Sequence, residues 1–129
     1  MIALDTNVIV RFLVNDDPAQ GRRARNLIAR GDVFVGPTVL LETEWVLRAA
    51  YGFSSAEIGR FFRALLGLSG LQTDDPERID RALDGYDAGL DFADALHLAL
   101  VGGAEAFATF DRRLARRARR LAGVRIFSP

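Results

Sequence analysis

Ile2-Ala3-Leu4-Asp5-Thr6-Asn7 decides how the rest of the chain is read. A short apolar run stops at an aspartate, and a pattern of helical period follows at once, as expected of a buried strand that feeds a helix. Thr6 or Asn7 is then the expected cap. Pro18 opens a second helix with Ala24, Leu27 and Ile28 inward and Arg22, Arg23, Arg25 and Arg30 toward water, and Gly31 stops it. Val33-Phe34-Val35 reads as a second strand. After Gly36-Pro37, Thr38 is the expected cap of a long helix to Tyr51, and Ser54-Ser55-Ala56-Glu57 is a capping box for a helix over roughly 55–66. Leu71-Gln72-Thr73 reads as a strand. Asp75-Pro76-Glu77 starts a helix to Ala88, and Asp91 caps another through Val101. Ala106 to Thr109 is a strand, Arg112 to Leu121 a helix, and Val124 to Phe127 a last edge strand. Strands interleaved with helices through short loops predict an α/β fold, a central parallel sheet flanked by helices, in one domain over residues 1–129.

Composition removes several chemistries. There is no cysteine, hence no disulfide scaffold and no thiol nucleophile, and one histidine, His97, cannot build a multi-histidine metal site. All 17 basic residues are arginine, and the missing lysine excludes P-loop and Schiff-base sites and the lysine of phosphoacceptor domains. No apolar run approaches the ~18 residues of a membrane helix, and Met1 to Asp5 does not read as a signal peptide, so a cytoplasmic protein is expected. Net charge is zero but polarised: Asp74 to Asp94 holds eight acids against two arginines, and Asp111 to Pro129 seven arginines against one acid. The basic end suits an anionic polymer.

Four carboxylates ask for an explanation. Asp5 and Asp111 sit where apolar strands stop, the edge at which ligands gather on parallel sheets, although an aspartate there also serves as a plain turn residue. Glu42 shares its helix face with Thr38, Val39, Trp45, Val46 and Ala49, the expected core face, where an ionised carboxylate must protonate, pair or bind a metal. Glu44 has Arg48 four residues on and reads as a surface ion pair. Asp94 lies in a helix otherwise so apolar that near-complete burial is expected, on one stripe with Asp91 and His97. Asp5, Glu42, Asp94 and Asp111 are expected to meet at one sheet edge, where like charges call for a cation. Oxygen donors and the lack of an Asp-x-Asp-x-Asp-Gly loop favour Mg²⁺ or Mn²⁺ over calcium, which is nuclease chemistry.

The stretches carrying these acids, Asp5-Thr6-Asn7, Val39 to Arg48, Asp91 to Ala99 and Phe107 to Arg113, resemble those of the PIN-domain ribonucleases, specifically the VapC-type toxins of bacterial toxin-antitoxin pairs. The resemblance covers nearly the whole chain. It implies a three-layer α/β/α fold, an RNA substrate, Mg²⁺ or Mn²⁺ dependence, a homodimer and a small inhibitory antitoxin. It makes Asp5, Glu42, Asp94 and Asp111 the metal-binding and catalytic quartet, with Thr6, Asn7 and Thr109 as supporting polar groups and Asp91 or Glu44 close enough to join them.

Further expectations come from the residues themselves. Arg112, Arg116 and Arg120 share a helix face suited to RNA phosphates. Leu40, Leu47 and Tyr51 form a second apolar stripe on the Glu42 helix, expected to face outward against another chain. A crowded set of carboxylates also invites a basic side chain from an inhibitor. A phosphoacceptor or haloacid-dehalogenase site is disfavoured by the missing lysine and by Asn7 where a second acid would stand. A serine hydrolase has no Gly-x-Ser-x-Gly elbow. An RNA-processing nuclease or a non-catalytic RNA-binding module of the same fold stays open.

Overall fold

A computed structural model describes residues 1–119 and 124–129. Among them the chain forms seven helices and five short strands, all paired in parallel, so the fold is α/β as expected. It divides into two compact units, residues 1–76 and 77–129. Among the described residues no helix is long and apolar enough to cross a membrane.

In the first unit, β1 (Ile2–Ala3), β2 (Val33–Phe34) and β3 (Leu71–Gln72) pair in that order, with Ile2 opposite Val33 and Val33 opposite Leu71. Bonds from Leu4 N to Phe34 O (2.8 Å) and from Val35 N to Gln72 O (2.9 Å) extend both ladders. Because all three strands run the same way, their carboxyl ends share one edge, and α1 (Thr6–Leu13) and α3 (Pro37–Ala49) start from it. Helix α2 (Pro18–Ala29) is capped by Asp17, which accepts from Gln20 N. Helix α4 (Ser55–Leu66) carries the expected capping box: Ser54 Oγ accepts from Glu57 N and Glu57 Oε1 from Ser54 N. Hydrogen bonding from the Ser54 backbone and hydroxyl holds the Glu57 carboxyl below its ordinary value. Ile9, Val33, Val35, Leu40, Leu47, Ile58 and Phe62 form the core. At its rim Arg11 donates to Gln20 (2.7 Å), Asp16 and the Tyr51 hydroxyl, while Tyr51 donates to Asp16 (2.7 Å), tying α1 to both neighbouring helices.

Three expectations are corrected here. Asp5 itself, rather than Thr6 or Asn7, caps α1. Gly36 is the N-cap residue of α3, with Pro37 in the first turn, and Thr38 is not. The third correction is larger, because α3 is turned the other way round from the expected orientation. Its buried residues are Leu40, Thr43, Glu44 and Leu47, while Glu42, Thr38 and Ala49 are exposed and Trp45 is 58% exposed. The stripe expected to face outward is therefore the core stripe. Both faces are apolar enough to be buried, and the polar groups decide. Thr43 Oγ1 donates to Val39 O (2.7 Å) and Glu44 takes Arg48 Nε at 2.9 Å, so both polar residues on the leucine face enter the core satisfied.

The second unit holds most of α5 (Pro76–Asp87), then α6 (Phe92–Ala99), β4 (Ala106–Ala108), α7 (Arg112–Ala118) and β5 (Arg125–Phe127). β4 and β5 pair with Phe107 opposite Ile126. Ile79, Leu83, Tyr86, Phe92, Leu96, Leu114 and Ile126 are buried, with Tyr86 edge-on to Phe92 at 5.1 Å. α6 ends two residues earlier than expected and is less buried: His97 and Leu100 are exposed and Leu98 and Ala99 half-buried. The expected end of α7 at Leu121 lies outside the described residues.

Two glycines give a graded test. Gly70 (φ +82°) leads into β3, and a Cβ there would stand 2.8 Å from the Gly31 Cα, whereas Gly52 (φ +72°) has open space around it. Gly52→Ala should cost about 1 kcal/mol, the strain of a left-handed alanine alone. Gly70→Ala must also displace backbone and should cost at least ~2 kcal/mol. Urea unfolding of both variants measures the order; equal losses would contradict the close approach.

Candidate functional site

Asp5 follows β1 and Asp111 follows β4, and each caps the helix after its strand, though through different amides. Asp5 Oδ1 accepts from Thr6 N at 2.8 Å, and Asp111 Oδ1 accepts from Arg113 N and Leu114 N at 2.9 and 3.0 Å. Each carboxylate is exposed and caps the helix after its strand, so its turn role and its candidate site role coexist. The cap fixes Oδ1. Among the described residues no hydrogen bond engages Oδ2 of either, and that oxygen is available to a ligand.

In residues 1–76, Thr6 is buried beside Asp5 and Asn7 is exposed. Glu42 stands exposed on α3, the helix that leaves the carboxyl end of β2. Sequence reasoning selected it as a buried acid. It is instead the solvent-facing glutamate, and Glu44, 2% exposed and bonded to Arg48, is the buried one. Its partner Arg48 lies on the same helix, so the pair satisfies the buried carboxylate within α3.

In residues 77–129, Asp94 is half-buried in the first turn of α6, and its carboxyl is pushed above the usual range. Burial is the main cause, followed by the charges of Asp91 and Asp111, with His97 opposing them. The structure thus brings Asp91, Asp111 and His97 each within electrostatic reach of Asp94. Asp91 occupies the N-cap position of α6 without a side-chain cap bond, and His97 is exposed. Thr109 supports Asp111 directly, its Oγ1 accepting from Asp111 N at 3.0 Å. Arg112 and Arg116 are exposed on α7 with no ion pair among the described residues, whereas Arg117 donates to Gly89 O. Arg120, the third expected RNA contact, lies outside the described residues.

Asp5, Glu42, Asp94 and Asp111 each offer hard oxygen donors, and the Asp94 carboxyl, raised by burial and then by the charges of Asp91 and Asp111, is one that a cation would relieve, so the donor chemistry fits Mg²⁺ or Mn²⁺. Among the described residues no three acidic or imidazole groups stand close enough together to hold a metal ion.

Comparison with known proteins identifies the family. Residues 2–120 match the family model of the PIN domain. No curated protein matches the chain.

Two measurements follow. Folding lifts the Asp94 carboxyl above its free value, so its ionised form costs stability above that raised value, and the cost vanishes once pH falls below the free value. Without added metal, Asp94→Asn should therefore melt higher than the parent at neutral pH, with the difference shrinking toward acid. Asn caps a helix about as well as Asp, so Asp5→Asn and Asp111→Asn should fold normally, whereas alanine at either position should cost about 1 kcal/mol. Thermal melts across pH check both.

Proposed function

We propose, from the fact that the chain belongs to the PIN domain family, that it is a Mg²⁺- or Mn²⁺-dependent endoribonuclease whose catalytic carboxylates are Asp5, Glu42, Asp94 and Asp111. PIN domains are generally nucleases that act on nucleic acids. The observation that supports the reading on this chain is Asp94, half-buried in the first turn of α6, where burial first and then the charges of Asp91 and Asp111 raise its carboxyl. A bound divalent ion would supply neutralising charge and water activation for phosphodiester hydrolysis. The residues would do the rest. Asp5 and Asp111 are held by their helix caps with one oxygen presented outward. Thr109 fixes the turn that carries Asp111, and Arg112 and Arg116 attract the RNA backbone from α7.

The reading extends to a toxin held in check by a small antitoxin, working as a homodimer in the cytoplasm from one domain over residues 1–129. Its support is the similarity of four sequence stretches to VapC-type toxins and a family match that runs through both compact units. Trp45, the only tryptophan and exposed on α3, is an apolar surface for a second copy to cover, and its emission would report that contact.

Purified protein should cleave RNA with Mg²⁺ or Mn²⁺ and stop when chelator is added; undiminished cleavage in excess chelator rejects the metal. Glu42→Gln should lose cleavage by at least about a hundredfold with its melting temperature unchanged. Glu44→Gln should instead lose about 1–3 kcal/mol of stability, since it weakens a buried hydrogen-bonded carboxylate. Expression of the active chain alone should arrest host growth, and normal growth rejects the toxin role. Sedimentation at micromolar concentration tests the dimer.

A further inference from the structure

Phe110 lies between Thr109 and Asp111 and is 80% exposed, the most exposed of the large apolar side chains described. The backbone around it is well held. Thr109 N donates to Phe127 O (3.0 Å), Asp111 N donates to Thr109 Oγ1, and the Asp111 carboxylate caps α7. An ordered turn therefore holds an aromatic ring in water, where it contributes little to the core. A second ring stands at the same end of the β4–β5 ladder. Phe127 lies opposite Ala108 and is 39% exposed, and the Arg125 guanidinium sits 5.4 Å over its ring. Exposed arginines follow along α7: Arg112, Arg113, Arg116 and Arg119, none in an ion pair among the described residues, and the helix contains no acid.

We propose that Phe110, with Phe127 and its stacked Arg125, is a stacking platform for unpaired bases of single-stranded RNA, positioning the strand beside Asp111. Exposed rings among cations are the combination that single-stranded nucleic acid selects, because every base has a face to stack and every linkage a phosphate to neutralise. A duplex hides its base faces and cannot use the rings. The charge pattern favours this occupant over an apolar protein surface, which would have to bury four unpaired arginines. Choosing RNA as the polymer rests on the ribonuclease reading, whereas the platform itself rests on the geometry of residues 106–119 and 125–127.

The test is binding without cleavage. A fluorescein-labelled single-stranded RNA of about 12 nucleotides, a length that spans the site sizes of such grooves, is titrated with full-length protein in chelator and followed by anisotropy, with the matching duplex as a second probe. Phe110→Ala and Phe110→Leu should each weaken single-strand binding about five- to hundredfold, Phe110→Trp should restore it, and duplex binding should change little. Phe127→Ala should act in the same direction. At 80% exposure none of the Phe110 variants should shift the melting temperature. Single-strand binding that is unchanged in Phe110→Ala, equal losses for both probes, or no binding by the parent chain overturns the platform. So does unchanged RNA binding with loss of a dimer in sedimentation, which assigns Phe110 to contact with a second copy. The ribonuclease reading fails separately: Phe110-dependent binding without metal-dependent cleavage rejects that reading and leaves the platform standing.

Discussion

Asp5 Oδ1 accepting the Thr6 amide, at the point where β1 hands the chain to α1, is the contact on which the first unit's arrangement turns. A parallel strand must be followed by a crossover, and an acceptor for the first amides of its helix lets the crossover start sharply. Asp5 supplies one in the residue after the strand's last ladder bond, and Asp111 supplies one two residues after that of β4. The same bond locks each carboxylate's rotation. A side chain that had only to bind a ligand would keep its rotational freedom and lose it on binding. Here it is lost on folding, which pre-positions an oxygen at the strand end before any ligand arrives.

Local signals carried most of the fold. The capping box at Ser54 and Glu57 fixed the start of α4, Pro18 fixed that of α2, and short apolar runs located all five strands to within a residue or two. α3 defeated the same reasoning because Val39, Trp45 and Val46 compete with Leu40 and Leu47, and periodicity cannot rank two apolar stripes that lie on different faces. The Glu44–Arg48 spacing reads, from sequence alone, as a surface pair. Four-residue spacing is equally what allows a glutamate to be buried, since Arg48 follows it to the core boundary with its own head half in water. Glu42 was selected as buried, and it is exposed.

The site was legible as residue types at strand ends, because parallel topology gives those positions meaning before any coordinate is known. Electrostatic proximity was legible only in part. Asp91 stands three residues from Asp94 on one stripe, whereas the reach of Asp111 to Asp94 depends on the tertiary arrangement within residues 77–129, which no local pattern encodes. Phe110 was invisible for another reason. A phenylalanine after a strand reads as more core, and only its 80% exposure separates it from Phe107, three residues earlier and half-buried.

The division into residues 1–76 and 77–129 has a consequence during synthesis. β1, β2 and β3 all end by Gln72, so the first unit has its full set of strands without any of the residues that carry Asp94 and Asp111. On the proposed chemistry a partly made chain carries two of the four carboxylates, and none of the arginines of α7 or rings of the platform. On that reading such a chain cannot cut the RNA being translated beside it, and activity waits until α6 and α7 have been added.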